Sequence, residues 1–316
     1  MPKVSVIIPN YNCSQWLPKV IESCLIQKHL HEIIIIDDHS TDNSWELLTD
    51  LQNKNSERIK VFQSPSKGGN NARNYGFSKS SGDYIQWLDA DDFLLPRKFE
   101  NQTQVFEKHP DIDIVYSDWY LDIYEKGNSF IKREKHPKAQ YYDFTYEIIA
   151  DNWSVPANYL LKRNIAEKLH KIKAWNPETK RGQDREYITM AALLGANFYY
   201  VPGYYCVYNR WNINSVSASH TYKEQWAHQL LLENRFRKKI IKKNYSKTLK
   251  KRYLSILNAN VITACFYNRN LTILNSFSFF NINWSFIDWK KHPFVPFIYL
   301  CQHLKFYVKT YFYLLF

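Results

Sequence analysis

Short apolar runs alternate with helix-like segments over the first hundred residues of this chain. The runs Val4–Pro9, Glu32–Asp38, Ile59–Phe62 and Tyr84–Leu88 are nearly continuous in apolar residues. Runs of this length and composition are typical of strands that are buried on both faces of a sheet. The pattern therefore predicts four strands of a parallel sheet.

Segments between these runs have helical spacing. The first helix is predicted from an apolar face at helical intervals, formed by Trp16, Val20, Ile21 and Leu25. Ser14 is its predicted N-cap, and Ser40 or Asp42 is predicted to cap the next helix. Strands that alternate with helices favour an α/β fold with a mostly parallel sheet.

Later segments extend this picture. A helix is predicted over Phe99–Phe106, a strand over Ile112–Tyr116, and a solvated hairpin or loop over 121–150. Another helix opens near Asp184 and ends at Gly195. The run Phe198–Tyr208 predicts a strand pair that is broken at Pro202–Gly203.

The last third is helical and basic in pattern. One helix is predicted over Lys223–Lys251 and another over Pro296–Phe316. Gln302, Lys305 and Lys309 share one face of the second helix, and most other positions are apolar. This helix suits either a membrane interface or a docking site on protein, and the pattern leaves both open.

Charge is distributed unevenly along the 316 residues. The net charge is +12, and residues 221–316 carry 16 Lys and Arg against 3 Asp and Glu, a net of +13. Residues 1–220 therefore have a net charge of −1. We predict a catalytic domain over 1–220, with halves 1–105 and 106–220, and a basic C-terminal region over 221–316. Such asymmetry indicates an anionic partner, either nucleic acid or a membrane surface.

Cysteine usage and hydropathy limit the class further. The five cysteines form no C-x-x-C pair, so neither a zinc site nor a disulfide framework is indicated, and a reducing compartment fits best. The sequence starts directly with a strand-like run, so we expect no secretory signal. No window has eighteen uninterrupted apolar residues, so no transmembrane helix is predicted.

Three carboxylates follow the fourth apolar run. Asp89, Asp91 and Asp92 stand at the predicted carboxyl end of that strand, where ligands bind in open α/β sheets. Closely held carboxylates repel, and Mg²⁺ or Mn²⁺ would relieve the repulsion. A D-x-D tripeptide alone favours a solvated acidic turn, because such tripeptides are common, and the metal site depends on the rest of the chain. No G-x-G-x-x-G or P-loop pattern is present, because the first strand–helix turn lacks glycine.

Four motifs occur in a familiar order: I-I-P-N-Y-N, I-I-I-I-D-D-H-S-T-D-N-S, G-G-N-N-A-R-N-Y-G and W-L-D-A-D-D-F-L-L-P. In this order and spacing the chain resembles the family 2 glycosyltransferases. The resemblance implies the GT-A architecture, which has a Rossmann-like, mostly parallel sheet with flanking helices. The helical basic C-terminal extension would be an addition to it.

The resemblance also implies roles for the donor-binding residues. Pro9, Asn10 and Tyr11 would line the pocket for base and ribose. Asp38 would accept a hydrogen bond from the imide N–H of uracil or thymine, since a carboxylate only accepts. Arg73 would reach the base or the diphosphate, although a surface arginine on a helix is its alternative.

Metal binding and catalysis are assigned in the same way. Asp91 would ligate Mn²⁺ or Mg²⁺ directly, Asp89 would bind ribose or a metal-bound water, and Asp92 would be a structural cap. Asp184 would be the catalytic base, with Gln183 where relatives have Glu. Its alternative is an N-cap aspartate.

Further positions are less specific. Arg210 would meet the diphosphate, and Asn212 replaces the histidine that related enzymes often have. Trp153 and Trp175 are candidates for stacking on sugar rings, and a core role fits them equally well.

The combined prediction is an inverting, metal-dependent glycosyltransferase that uses a nucleotide-diphosphate sugar, a UDP-sugar by expectation. The acceptor would be a cell-surface or lipid-linked glycan, and the transferred group a hexosyl or N-acetylhexosaminyl unit. We expect a cytoplasmic protein, peripheral on the inner membrane face and bound to anionic lipid, and oligomerisation stays open. A sugar-phosphate nucleotidyltransferase is the first alternative, and its glycine-rich basic loop is absent after the first strand. A nucleic-acid-binding protein is the second, and no motif for it accompanies the charge.

Overall fold

The computed structural model describes residues 1–125, 129–211 and 222–267. The chain forms two compact units. The described part of the first unit comprises residues 1–125, 129–147 and 153–211, and that of the second comprises 148–152 and 222–267. The predicted domain division near residue 220, and the halving near 105, stay predictions.

A mixed sheet forms the centre of the first unit. Its described strands are β1 Val4–Asn10, β2 Leu30–Asp37, β3 Ile59–Gln63, β4 Tyr84–Trp87, β5 Phe93–Leu94, β6 Ile114–Tyr124, β7 Phe130–His136, β8 Leu160–Lys162 and β9 Phe198–Trp211. They lie in the order β3-β2-β1-β4-β8-β6-β9-β5, and β7 pairs with β6 outside this path. The ladders β1–β2, β2–β3, β1–β4 and β6–β9 are parallel. The predicted α/β fold with a mostly parallel sheet is therefore confirmed.

Helices flank this sheet. Those of the first unit are α1 Leu17–Leu25, α2 Ser44–Lys54, α3 Gly69–Lys79, α4 Lys98–Lys108, α5 Phe144–Ile149, α6 Arg163–Lys171 and α7 Gln183–Leu194. A short 3-10 turn covers Pro156–Asn158. The final residues of α5 belong to the second unit.

The apolar runs of β1 and β2 are buried on both faces, as their composition predicts, whereas in the edge strand β3 only Ile59 is buried. Val6, Ile7 and Ile8 of β1 have no solvent exposure, and neither have the four isoleucines of β2. Their registers place Ile8 opposite Ile35 and Ile7 opposite Trp87. Because the central strands are parallel, their carboxyl ends meet at one edge of the sheet.

Two predicted helix caps differ from the structure. α1 begins at Leu17 with Trp16 at the N-cap position, and Ser14 does not cap it, so that prediction is wrong. The N–H of Ser14 instead donates to Asp42 at 3.0 Å. The N-cap position of α2 is Asn43, so neither Ser40 nor Asp42 occupies it. Asp42 accepts the N–H of Ser44, the first residue of α2, and Ser40 bonds Asp37. A contact between loops 28 residues apart in sequence therefore replaces the local cap.

The predicted strand pair at Phe198–Tyr208 is also wrong, because β9 continues through Pro202–Gly203. Gly203 has a φ of +123°, and the β6–β9 register shifts beside it. Its N–H donates to Asp118 of β6 at 3.1 Å. Gly203 therefore produces a bulge within one strand rather than a turn between two.

A helical hairpin dominates the described second unit. The segment predicted as one helix is divided into α8 Tyr222–Lys242 and α9 Lys247–Tyr267. Asn260 of α9 donates to Glu233 of α8 at 3.1 Å and to the carbonyl of Ile149 at 3.0 Å. Within the described ranges no helix is long and apolar enough to cross a membrane. Asn212 and the predicted helix over 296–316 lie outside the described residues.

Gly76 provides a test of how closely α3 packs on the sheet. A Cβ at this position would lie 2.5 Å from Ile7 Cγ2 and 3.1 Å from Ile36 Cγ1. Gly76→Ala is therefore expected to lower the free energy of unfolding by ~1–3 kcal/mol, the usual result of overpacking. Urea unfolding followed by tryptophan fluorescence would measure the change.

The sign of the change in the free energy of unfolding distinguishes an effect of tight packing from an effect of helix propensity. In an unconstrained helix the same exchange stabilises by about 1 kcal/mol. Ser78→Ala, at an exposed position of the same helix, is the control and should not destabilise. A stabilised Gly76→Ala protein would contradict the packing described here.

Candidate active site

The carboxyl ends of β1, β2 and β4 lie together and carry the polar residues singled out in the sequence. β1 lies between the other two strands, and Asn10 is opposite Asp37. The N–H of Asp38 donates to the carbonyl of Asn10 at 2.7 Å, so the two strands remain joined past their ends. This edge is where a parallel α/β sheet binds ligands.

The side chain of Asn10 is fully buried and holds the end of β2. Its Nδ2 donates to Asp37 Oδ1 at 2.8 Å and to Ser40 Oγ at 3.2 Å. Tyr11, by contrast, is 57% exposed, and Pro9 is half-buried. Tyr11 is thus the most open of the three residues predicted to line a base and ribose pocket, and that role stays a prediction.

Asp38 is the more informative member of the Asp37–Asp38 pair. Its Oδ2 accepts the N–H of Gly68 at 2.7 Å, whereas its buried Oδ1 has no partner among the described residues. Burial raises the pKa of this carboxyl, and the Gly68 N–H partly opposes the shift. A buried carboxylate oxygen without a partner carries a large desolvation penalty, which a donor group on a ligand would remove.

Arg73 lies in α3 and is directed at the carboxylates. Its Nη2 is 2.6 Å from Asp89 Oδ1, its Nη1 donates to Asn70 Oδ1 at 3.3 Å, and its side chain is 8% exposed. Its guanidinium carbon lies 4.5 Å from the ring centroid of Trp175. Arg73 therefore holds Asp89 in position through a charge-assisted hydrogen bond, and the guanidinium itself is largely buried.

Two amides of the G-G-N-N-A-R-N motif attach α3 to a distant segment. Asn70 Nδ2 donates to the carbonyl of Asn176, and Asn74 Nδ2 donates to that of Trp175, both at 2.7 Å. Trp175 is 2% exposed and stacks on Tyr187 at 4.3 Å between centroids. It therefore has the core role that the sequence left open, and it supports Arg73.

The D-A-D-D turn is attached to β9 by Asn209. The backbone N–H of Asn209 donates to Asp92 Oδ1 at 3.0 Å, and its Nδ2 donates to the carbonyl of Asp91 at 2.5 Å. Asp92 is fully buried, and its N–H donates to the carbonyl of Asp89 at 3.1 Å. Asp92 thus has a structural role, but through β9 rather than through a helix end. The role of Asn209 was not foreseen from the sequence.

Asp184 is the second residue of α7, and the N-cap position belongs to Gly182. Burial raises the pKa of Asp184 to about 7, the negative charge of Asp89 adds to the shift, and Arg73 opposes it. A narrow pocket beside it has an aromatic and apolar lining that includes Trp87, Pro156, Tyr159, Trp175 and Tyr187. A carboxyl with this pKa can exchange a proton near neutral pH.

Tyr208 of β9 is influenced by the negative charges of all four carboxylates. Its pKa is raised, first by burial and then by the charges of Asp92, Asp89, Asp91 and Asp184. The charge of Asp91 likewise contributes, after burial, to a Cys13 pKa of about 12. The structure therefore brings Asp89, Asp91, Asp92 and Asp184 together, although Asp184 is 92 positions from the nearest of them in sequence.

Other predicted residues lie outside this group. Arg210 is exposed on β9 opposite Ile123, and its charge acts on Glu134 of β7. The pKa of Glu134 is lowered first by a hydrogen bond from Lys132, and Arg210 adds to the effect. Gln183 Nε2 donates to the carbonyl of Thr179 at 2.9 Å. Trp153 is 38% exposed and has no described contact with the carboxylates.

A divalent cation fits the chemistry of this cluster only in part. Asp89 and Asp91 offer hard oxygen ligands in a place with excess negative charge, which suits Mg²⁺ or Mn²⁺. Asp89 Oδ1 already bonds Arg73, and among the described residues no three Asp, Glu, His or Cys side chains are placed so that they could hold one ion together. The protein would therefore supply one or two ligands, and a bound diphosphate and water would supply the others.

The fold and site together define a class. A mostly parallel central sheet with flanking helices is the architecture that the resemblance to GT-A enzymes implies. A Staphylococcus aureus protein, TarS residues 1–349 crystallised with UDP-GlcNAc, matches with a TM-score of 0.61 at 18% identity over 84% of this chain and 72% of its own. The mannosyltransferase PcManGT from Pyrobaculum calidifontis, in complex with GDP-Man and Mn²⁺, matches with a TM-score of 0.53 at 16% identity, over 89% of this chain and 77% of its own. The predicted GT-A fold is thereby confirmed.

The chain belongs to glycosyl transferase family 2. The family model matches residues 5–170, just over half of the chain. An uncharacterised glycosyltransferase of a Nostoc species is 31% identical over 54% of each chain. An Escherichia coli protein, the UDP-Glc:alpha-D-GlcNAc-diphosphoundecaprenol beta-1,3-glucosyltransferase WfaP, is 36% identical over 39% of this chain and 48% of its own. The chain thus spans about half the length of these two relatives.

Proposed function

We propose that this protein is an inverting, metal-dependent glycosyltransferase that transfers a sugar from a UDP-sugar to a hydroxyl group. The single observation that carries the proposal is the position of Asp184, a carboxyl with a pKa of about 7, close to Asp89, which precedes Asp91 by two residues. This arrangement supplies a general base next to oxygen ligands for a cation on the donor diphosphate.

The proposed reaction is a single displacement. Asp184 takes the proton from the acceptor hydroxyl, and the oxygen of that hydroxyl attacks the anomeric carbon. The bond between this carbon and the diphosphate oxygen breaks on the opposite face, and the nucleoside diphosphate leaves. A cation held by Asp91, with help from Asp89, would offset the charge that grows on the leaving diphosphate. Arg73 holds Asp89 in place during these events.

A uracil nucleotide is favoured by the chemistry of Asp38. The buried Oδ1 of Asp38 can only accept, and uracil offers an N3–H donor where cytosine has an acceptor. TarS was crystallised with UDP-GlcNAc, and the name of WfaP specifies UDP-Glc, which supports the same choice.

A binding experiment tests this choice of base without any need for turnover. Calorimetric titration with UDP and CDP, in the presence of Mn²⁺, should give tighter binding of UDP by about tenfold or more, since mismatched buried acceptors are costly. Asp38→Ala should remove the difference. Equal affinities in the unaltered protein would contradict the role of Asp38. Turnover with a panel of UDP-, GDP- and CMP-sugars would then identify the sugar as a hexose or an N-acetylhexosamine.

The acceptor is proposed to be a lipid-linked or cell-surface glycan at the inner membrane face. WfaP is named for an acceptor carried on diphosphoundecaprenol, and the second unit of this chain is strongly basic. The protein would therefore be peripheral on an anionic membrane. Membership of a glycosyltransferase family disfavours the nucleotidyltransferase alternative.

The pH profile gives a further prediction for the same site. Asp184 must be ionised to accept a proton, and its pKa is raised to about 7. The value of kcat/KM, which reports the free enzyme, should therefore fall about tenfold per pH unit below ~7 and level off above it. Initial rates from about pH 5 to about pH 8 would measure this. A profile that is flat across the acid side would exclude Asp184 as the base.

A further inference from the structure

The tip of the helical hairpin in the second unit carries an unusual concentration of positive charge. Residues 235–252, from the end of α8 to the start of α9, contain ten Lys and Arg residues and no Asp or Glu. Five lysines there are exposed: Lys238, Lys239, Lys242, Lys247 and Lys251. No ion pair is recorded for these five in the part of the chain that the structure describes. We call residues 235–252 the basic tip.

The positive charges of the basic tip lower the stability of α8 and α9. Lys238 and Lys242, and likewise Lys247 and Lys251, are like-charge pairs at i and i+4, which destabilise a helix. The first turn of α9 contains Lys247 and Lys250 and no acidic residue, and the helix dipole disfavours positive charge at that end. An anionic partner would relieve both kinds of repulsion.

The tip is otherwise well ordered by its own contacts. Lys250 Nζ donates to the carbonyl of Ile241 at 3.2 Å, which closes the end of α8. The hydroxyl of Ser246 accepts the N–H of Leu249 at 3.2 Å, and Tyr245 packs edge-on against Tyr253 at 5.4 Å. The exposed lysines are thus presented on a defined surface rather than on an unstructured tail.

We propose that the basic tip is the surface by which this protein docks on an anionic lipid bilayer, a proposal that rests on the membrane-bound acceptor proposed above. Ile241, at the centre of the basic tip, is 47% exposed and can enter the headgroup–acyl boundary. The five exposed cations are all lysines, which act as point charges on headgroups, whereas bidentate contacts to nucleic acid favour arginine. The exposed apolar side chain of the tip, Ile241, is aliphatic and offers no stacking platform for bases, and Tyr245 is packed edge-on against Tyr253. Membrane attachment is thereby assigned to residues 235–252, independently of the segment 296–316.

Vesicle binding by the full chain tests this proposal. Partition would be measured on vesicles of equal parts phosphatidylglycerol and phosphatidylcholine, and on phosphatidylcholine alone, at low and high salt. The test variant replaces Lys238, Lys242, Lys247 and Lys251 with Gln, which removes four charges and keeps helix propensity. Its partition onto the anionic vesicles should fall by at least about 100-fold at low salt, since each basic residue near such a surface contributes several-fold.

A matched control removes the same charge elsewhere. Lys54, Lys108, Lys168 and Lys171 are exposed in the first unit, and their replacement with Gln should change partition by less than about tenfold. Ile241→Ser, made in the otherwise unaltered chain, should weaken vesicle binding more at high salt than at low salt. The electrostatic contribution is screened at high salt, so the apolar contribution accounts for more of the binding. UDP affinity and the circular dichroism spectrum of each variant establish that folding and the nucleotide site are intact.

Several results would overturn the proposal. They are an absence of binding to anionic vesicles by the unaltered chain, equal losses in the test and control variants, or tighter binding to single-stranded RNA than to vesicles at the same salt. Because none of these measurements needs sugar transfer, a failure here is distinguishable from a failure of the proposed enzymatic activity.

Discussion

Asp184→Asn is expected to lower kcat by ~10²–10⁴-fold, the range that general-base catalysis supplies. The amide cannot accept the proton of an acceptor hydroxyl, but it has nearly the same shape as the carboxyl that it replaces. The affinity for UDP should change little, because Asp184 is assigned to the acceptor and not to the nucleotide. The measurements are steady-state transfer rates and calorimetric titration with UDP.

Asp50→Asn is a suitable control for that variant. Asp50 is exposed on α2, so the same chemical change there should leave both measurements unaltered. Loss of UDP affinity in parallel with kcat would instead make Asp184 a donor ligand or a structural residue. Removal of the 184 carboxyl should also eliminate the pH dependence near 7.

Asp91→Asn is expected to reduce transfer by at least ~10²-fold through the loss of a charged ligand for the divalent cation. UDP affinity measured with Mn²⁺ should fall toward the value measured with EDTA, whereas the affinity in EDTA should be unaffected. Asp91→Glu keeps the charge and should retain part of the Mn²⁺ dependence. Near-normal transfer by the unaltered protein in EDTA would show that the cation is not required.

These two variants also distinguish the two halves of the reaction. The Asp184 variant should keep metal-dependent UDP binding and lose sugar transfer. The Asp91 variant should lose both metal-dependent UDP binding and sugar transfer. Uncoupled hydrolysis of the UDP-sugar by water would report the donor half alone.

The sequence predicts the first half of the fold well because its strands are buried on both faces. Continuous apolar runs such as Val4–Pro9 identify these strands, and the alternation with helices leads to a parallel sheet. The ligand-binding edge of the sheet then follows from topology, since the carboxyl ends of parallel strands lie there. For this reason the sequence alone predicts that the carboxylates after β4 lie at the ligand-binding edge.

Contacts between distant residues account for the errors. Ser14 has the composition of an N-cap, but its N–H bonds Asp42, and α1 begins three residues later. Pro202–Gly203 has the composition of a turn, but Asp118 of β6 holds the Gly203 N–H and the strand continues as a bulge. Local patterns carry no information on such partners, which are 28 and 85 positions away.

In the candidate site, too, some residues are predictable from the sequence and others are not. Asp89, Asp91 and Asp184 were recognised as motif residues, whereas the supports of the site were not. Trp175 under Arg73 and Asn209 on the D-A-D-D turn are contributed by segments with no local signal of their roles. A carboxylate can be recognised from its neighbours in sequence, but the residue that holds it in position is identified only in three dimensions.

The two hydrogen bonds of Asn209 have a consequence for recombining this protein with its relatives. An exchange of residues 1–105 between two family members would take the turn with Asp91 and Asp92 from one parent and β9 from the other. The bond to the Asp92 carboxyl comes from the backbone N–H of residue 209, so any residue except proline would supply it. The bond to the Asp91 carbonyl comes from the side chain, so the second parent would also have to supply an amide at 209. Functional hybrids should therefore be those in which the turn and position 209 are inherited together.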